Sequence, residues 1–311
     1  VNNQPLLEDM RLFCAVVRTQ SFAAVARDLG LSNAVISKRI NLLERALQAK
    51  LLHRTTRRLT VTEQGDTVYQ RATRILEDVD AMAQAITTHR EAPRGLLRLC
   101  SSSGFGSRQL APALAALAKR YPTLELQLEL LDRPVDLVGE GFQLDIRVGQ
   151  VQEPHLITRR IAHNQRVLCA APSYVAQHGA PQSLQALAQH QCLVIRERDQ
   201  DVGRWTLDGP QGPETVKVTG ALSANNGEVV HRWAIEGLGI LLRSTWDVGP
   251  SIAQGTLERQ LPDYAQEAPV WAVYPTRLAH SAKVRVCVEF LEAWFRDTDL
   301  GATVRLPKPT R

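Results

Sequence analysis

The stretch GLSNAVISKRIN, residues 30–41, sets side chains of complementary chemistry at helical spacing. At about 100° per residue, Ala34, Ser37, Lys38 and Asn41 share one side of a helix, with Arg45 a turn further on; Ile36 and Ile40 fall opposite. Small residues allow close approach. Ser, Asn and Lys can bond to base edges or phosphates. This is the chemistry of a helix laid in a DNA major groove. An ordinary solvated face has a similar make-up, so the neighbouring elements must decide between the two.

Those elements read as short helices. Leu6, Met10, Phe13 and Val17 recur at spacings of 4, 3 and 4, which predicts a first helix with these residues inward. Ser21 is placed to cap a second helix, FAAVARDL, with Phe22, Val25 and Leu29 as its apolar stripe, and Gly30 to end it. Ser32 caps a third, which opens on Asn33 and buries Ile36, Ile40, Leu43 and Leu47. Two helices joined by a short glycine-containing turn make a helix-turn-helix. The segment LLHRTTRRLTVTEQG follows, two β-prone runs around a basic turn. Arg54, Arg57 and Arg58 stand where a β-wing would meet phosphates or the minor groove. Ser21, Ser32, Arg54 and Arg57 are the expected phosphate contacts, and Ser32, Asn33, Ala34, Ser37, Lys38 and Asn41 lie on or beside the reading face.

Charge supports a polyanion-binding head. Residues 1–62 hold ten Lys/Arg against four Asp/Glu, residues 63–94 four against six, and residues 95–311 are nearly balanced. Thr62 can cap the next helix. Along it Val68, Ala72, Ile75, Val79, Met82 and Ile86 repeat at 4 and 3, a heptad-like seam that needs a partner. The same helix of a second chain is the simplest partner; packing on the protein's own body is the alternative. A dimer would carry two reading helices to two half-sites.

From EAPRG at 91–95 the pattern changes to alternating strands and helices. The strands are LLRLC, LELQLELL, LDIRVG, RVLCAAP, CLVIRER, VKVTGALS, GILLRS and VWAVYP. The helices lie at 107–120, 133–140, 183–188, after Asn226, and at 282–296. This order implies a mostly parallel sheet with ligands at strand carboxyl ends. The Pro-rich basic tail, 299–311, is expected to fray.

Enzyme chemistry finds no foothold. There is no GxSxG, P-loop, HExxH or complete GxGxxG, and the eight His are scattered without ligand spacing. Five Cys without a CxxC pair argue against structural zinc or a disulfide framework. No metal or cofactor is expected. With no ~18-residue apolar run and no basic-then-apolar leader, a cytoplasmic protein without membrane contact is expected.

The run SFAAVARDLGLSNAVISKRINLLERALQAKLLHRTTRRLTVTEQG resembles the N-terminal domain of LysR-type transcriptional regulators. DRPVDLVGEGFQLDIRVG, RVLCAAPSYV and EGLGILL resemble their effector domain. The resemblance covers nearly the whole chain. It implies an α+β multidomain protein, a winged helix-turn-helix (1–62), a linker and dimerisation helix (63–92) and a two-lobed α/β effector domain of periplasmic-binding-protein type (93–298). Lobe one would span 95–165 and 268–298, lobe two 166–267, with crossovers near 164–169 and 266–272. It further implies promoter DNA, a small-molecule inducer and a second copy of the chain as partners, in a dimer through the linker helix and a homotetramer; RNA polymerase is a further candidate.

Within the family, SSSGFGSRQLAPAL, LLDRPVDLV, SANNGEVVHRWAIEGLGILLRSTWDV and RVCVEFLEAW resemble regulators of tartrate and malate use. That implies a hydroxy-dicarboxylate inducer. Such a ligand needs two anion sites and hydroxyl donors. Ser101, Ser102 and Ser103, with Phe105 in the same glycine-containing run, could hold one carboxylate. Arg196 could clamp the other, or pair with Glu197 or Asp199. Asn225 and Asn226 could serve the hydroxyls. Arg133 and Arg147 are further candidates, but Asp132 and Asp145 stand beside them as ion-pair partners. An unrelated effector, or a solute-binding protein, are the competing readings; specific DNA binding with a steep salt dependence separates the latter.

Overall fold

The computed structural model describes residues 6–54, 59–86, 93–151, 153–196, 202–279, 281–298 and 300. The tail at 301–311 lies outside the described residues. The chain divides into two compact units, Val1–Arg90 and Glu91–Arg311.

In the first unit, α1 (Leu7–Thr19), α2 (Phe22–Leu29) and α3 (Asn33–Leu47) precede a two-stranded antiparallel wing, β1 (Leu52–Arg54) and β2 (Leu59–Val61), and the long α4 (Glu63–Ile86). The local punctuation has direct causes. Ser21 Oγ accepts from Ala24 N at 3.1 Å and Ser32 Oγ from Val35 N at 3.3 Å, each satisfying a donor the helix leaves orphaned. Gly30 closes α2 at φ 64°, a conformation open to residues without Cβ. Phe13, Val16, Val25, Ile36, Ile40, Leu43 and Leu51 form the core. The inward face of α1 is rotated from the expected stripe: Asp9, Leu12, Phe13 and Val16 are buried, while Leu6 stays exposed. Asp9 is paired there with Arg39 of α3, Nε to Oδ1 at 2.8 Å, and burial raises its pKa by more than the Arg39 charge lowers it. Thr62 caps α4, its Oγ1 accepting from Gly65 N at 2.9 Å. A Cβ on Gly65 would stand 2.1 Å from Leu51 O, so only glycine lets α4 pass so close to the wing.

Among the described residues the second unit contains one large sheet per lobe and a separate two-stranded hairpin sheet. Its first half comprises β3 (Gly95–Ser101), a continuous helical run of α5 (Ser103–Phe105), a π-turn (Gly106–Leu110) and α6 (Ala111–Arg120), then β4 (Leu124–Leu130), β5 (Leu144–Val148) and β6 (Leu156–Ala162). Next come β7 (Gln165–Ala170), α7 (Pro172–His178), β8 (Cys192–Ile195), the hairpin β9 (Arg204–Gly209) and β10 (Gly212–Lys217), and β11 (Ser223–Ala224). Last are α8 (Gly227–Ile235), β12 (Ile240–Ser244), α9 (Thr245–Ala253), β13 (Glu258–Arg259), β14 (Gln266–Glu267), β15 (Val270–Pro275) and α10 (Ala282–Asp297).

Lobe one carries the order β4-β3-β5-β15-β6, and lobe two β11-β8-β12-β7-β13 with β14 also on β7. The sheets are mixed rather than mostly parallel. β3 runs parallel to β4 and β5, but β15 is antiparallel to β5 and β6, and β7 to β12. The reason is that the chain changes lobes: it leaves lobe one at 163–164 and returns at 268–269, so β7 and β15 enter from the opposite direction. Asn164 pins both crossings. Its Nδ2 donates to Ala268 O at 2.8 Å and to Ser244 Oγ at 3.1 Å, and its backbone carbonyl accepts from Ala268 N at 2.9 Å.

Residues 133–140 are not the expected helix: 133–136 are irregular and 137–140 form a turn. Pro134 lacks an N–H, Asp136 Oδ1 accepts from Gly139 N at 2.8 Å, and Arg133 closes the loop on Glu140, so local side-chain bonds hold a single turn closed by Glu140 N on Asp136 O and no helix extends from it. The stretch 183–188 is a short 3₁₀ turn over Gln185–Gln189. Among the described residues, no helix is long and apolar enough to cross a membrane, and no cluster of His, Cys, Asp or Glu suits a metal ion. Burial pushes the thiols of Cys169, Cys192 and Cys287 up to about 12, in keeping with their packing role.

Candidate nucleic-acid interface and ligand cleft

The face of α3 that the sequence marks as a candidate for reading DNA is held by its opposite side. Ile36, Ile40 and Leu43 are fully buried, which turns Ala34, Lys38 and Arg45 outward and leaves Ser37 and Asn41 half-buried beside them. Asn33 is exposed at the start of the helix. Ser21 and Ser32 each accept a cap bond, which leaves the hydroxyl proton of each able to donate. Arg54 ends β1, opposite Leu59. Arg57 and Arg58 lie outside the described residues.

Sequence reasoning missed the residue that joins reading helix to wing. Glu44 is buried, and its carboxylate accepts from Leu51 N at 2.9 Å, Leu52 N at 3.3 Å and Lys50 Nζ at 3.0 Å. Burial alone would raise its pKa. The Leu51 N–H, the Lys50 ammonium and the Leu52 N–H outweigh that and hold it below the ordinary value of 4.5. A lowered folded pKa means stability present above that value and lost as pH falls below it. Glu44→Ala strands two buried N–H groups, at a cost of about 1–3 kcal/mol. It is expected to lower the melting point of the head and weaken its DNA binding together, read by thermal unfolding and fluorescence anisotropy. An unchanged melting point would contradict this.

In the second unit a cleft of about 410 Å³ opens between the lobes, within the range of small-molecule sites. Ser102, Asp132, Arg147 and Glu153 line it from lobe one. Arg166, Arg204, Trp205, Arg243, Gln266 and Glu267 line it from lobe two. Of the candidates read from sequence, Ser102 and Arg147 reach this cleft. Arg147 is buried and engaged with Asp145 (3.0 Å) and Glu153 (2.8 Å), the structural ion pair weighed against its clamp role. Ser101 is buried and donates to Ile146 O at 2.8 Å. Ser103 gives its N–H to Asp132 Oδ1 at 2.8 Å. Asn226 caps α8 and donates to Asp132 Oδ2 at 2.8 Å.

Four candidates stand elsewhere. Phe105 is fully buried, edge-on to Trp246 of α9 at 5.4 Å, because its apolar ring belongs to the core that joins the lobes. Arg133 is exposed and bonded to Glu140. Arg196 is exposed, off the cleft, with its N–H given to Ala224 O. Asn225 is exposed in the turn before α8.

The cleft arginines that sequence missed are Arg166, Arg204 and Arg243. Arg166 donates to Gln266 Oε1 at 2.9 Å, and its guanidinium lies against Gly149. Arg243 packs against Gly227, over the Trp246 ring, with Nε on Asp247 Oδ2 at 2.5 Å. Asp247 also takes His231 Nδ1 at 3.1 Å and, from lobe one, Arg108 at 2.6 Å. Only strand register could have exposed these positions: Ser244 stands opposite Arg166 and Arg243 opposite Val167.

Two family models match the chain: a bacterial regulatory helix-turn-helix protein model of the lysR family over residues 7–66, and a LysR substrate binding domain over residues 90–296. The chain is 54% identical over 297 residues to the HTH-type transcriptional regulator DmlR of Escherichia coli K12, covering 96% of this chain and 97% of that one. It is 44% identical over 294 residues to the HTH-type transcriptional activator TtdR of the same strain, covering 94% and 95%. Among solved structures, CrgA of Neisseria meningitidis, a LysR-type regulator, aligns with a TM-score of 0.58 at 31% identity, over 94% of this chain and 98% of that one. Full-length AphB of Vibrio cholerae aligns at 0.57 and 28%, over 93% and 99%.

Proposed function

The chain belongs to the LysR family of transcriptional regulators, a DNA-binding head joined to an effector domain and not an enzyme, and from that membership we propose that its effector is a hydroxy-dicarboxylate of the tartrate or malate type. The observation that supports this reading is the cleft lined by Arg147, Arg166, Arg204 and Arg243. Guanidinium groups in a confined site attract carboxylates and can hold them bidentately. The narrower resemblance to regulators of tartrate and malate use points the same way. Arg166 replaces Arg196 as the preferred clamp, because Arg166 lines the cleft and Arg196 does not.

On the DNA side, Ala34, Ser37, Lys38 and Asn41 enter the major groove, and Ser21, Ser32, Arg54 and Arg57 hold phosphates. The chain works as a homodimer through α4. Val68 packs on the head core and Ala72 is buried, whereas Ile75 and Met82 are 42% and 61% exposed and await the second helix. Two such dimers form the tetramer, with RNA polymerase as the downstream partner in the cytoplasm.

Calorimetric titration of the full chain with L-tartrate, D-tartrate, D-malate, L-malate and succinate tests the effector. Saturable binding of a hydroxy-dicarboxylate is expected, weakened at least about tenfold by Arg166→Gln, as befits the loss of a charge-assisted hydrogen bond of ~1.5–3 kcal/mol, and unchanged by Arg196→Ala. Binding of none of the five by the folded protein would remove this effector class.

A further inference from the structure

Asp132 is gripped from both lobes. Its Oδ1 accepts from the Ser103 N–H of lobe one and its Oδ2 from Asn226 Nδ2 of lobe two, each at 2.8 Å. Asn226 is itself fixed, because its Oδ1 accepts from Glu228 N at 3.0 Å and Val229 N at 3.3 Å. The carboxylate therefore has a set orientation, and it lines the cleft. An ionised carboxylate can accept about four hydrogen bonds and donate none. These two bonds leave acceptor capacity on each oxygen.

A fixed acceptor among arginines sorts ligands by their donors. A plain dicarboxylate brings acceptors only: it finds the cleft arginines but sets a carboxylate near Asp132 with nothing to bridge them. A hydroxy-dicarboxylate brings the same two carboxylates and an O–H donor. We propose that Asp132 is a specificity-determining residue, which accepts the hydrogen bond of the ligand hydroxyl and so admits hydroxy-dicarboxylates over dicarboxylates that lack one. This rests on the dicarboxylate reading of the cleft. The physical basis is that a site built to bond a hydroxyl rejects the analogue without it, whose binding leaves a desolvated polar group unmatched.

The test compares D-malate, L-malate and succinate, matched four-carbon acids, on the full chain by calorimetry, with melting points taken alongside. The wild type is expected to bind one malate at least about tenfold more tightly than succinate. In Asp132→Asn, which is isosteric, that ratio should fall to within about threefold, mostly through weaker malate binding. Asp132→Ser, which keeps an oxygen for the Ser103 N–H, serves as the second variant should the first melt early. A ratio that persists in both folded variants overturns the proposal, as does equal loss of malate and succinate, which would make Asp132 a prop between the lobes. Equal binding of malate and succinate by the wild type overturns it and leaves the dicarboxylate reading standing. Binding of neither by the wild type removes that reading, and the proposal with it.

Discussion

Asp247→Ala is expected to lower the melting temperature of the effector domain by roughly 10 °C. The side chain is 1% exposed and gathers Arg243, His231 and Arg108 at 2.5, 3.1 and 2.6 Å. Removing it leaves Arg243, itself 6% exposed, without this counter-charge. Breaking a buried pair in this way costs about 3–5 kcal/mol, and each kcal/mol shifts a domain of this size by roughly 2–4 °C. The same group sets an acid limit. Burial would raise its pKa, but the hydrogen bond from His231 and the charge of Arg243 bring it from 3.8 down to about 2. A depressed folded pKa contributes stability above the unfolded value, here about 2 kcal/mol, which is lost as pH falls from 3.8 toward 2. Thermal unfolding of wild type and Asp247→Ala from pH 7 to pH 2 should show the two curves converging at the acid end. A loss at pH 7 below about 1 kcal/mol would mean the cluster is not holding the lobes.

Lys38→Ala is expected to weaken binding to the specific DNA site by about 10- to 100-fold, the ~1–3 kcal/mol of one good base contact. Lys38 is exposed, so melting and effector binding should not change. Arg54→Ala should behave differently, weakening all DNA about equally and reducing the salt slope by about 1. Anisotropy on specific and scrambled duplexes at several salt concentrations separates the two. Uniform loss with Lys38→Ala would make it a phosphate contact.

The features legible in the sequence are those that are local in the chain. The Ser21 and Ser32 caps and the Gly30 stop depend on neighbours within four residues, and the inward phase of α3 follows from apolar spacing alone. The phase of α1 does not follow, because Asp9, paired with Arg39, is buried where hydropathy places a carboxylate outside. The 133–140 stretch has helix-like apolar positions, but Pro134 and the Asp136 turn override them. The cleft is least legible. Its arginines come from β5 of lobe one and from β7, β9 and β12 of lobe two, on either side of the crossing at 163–164, and Arg166 sits 30 positions before Arg196. Glu44 and Asp247 are also invisible in the sequence, since a buried carboxylate is recognised by the donors around it, and these come from the segment at 50–52 for Glu44 and from both lobes for Asp247.

Selection from a random pool of duplex DNA by the full chain, repeated with and without the hydroxy-acid that binds it, tests whether the protein is an effector-responsive DNA reader. A single two-fold symmetric site should be enriched, its affinity falling steeply with salt, and the acid should change the affinity or the footprint on it. Recovery of no preferred sequence, or of one whose binding the acid leaves untouched, would mean that the protein is not an effector-responsive reader of DNA.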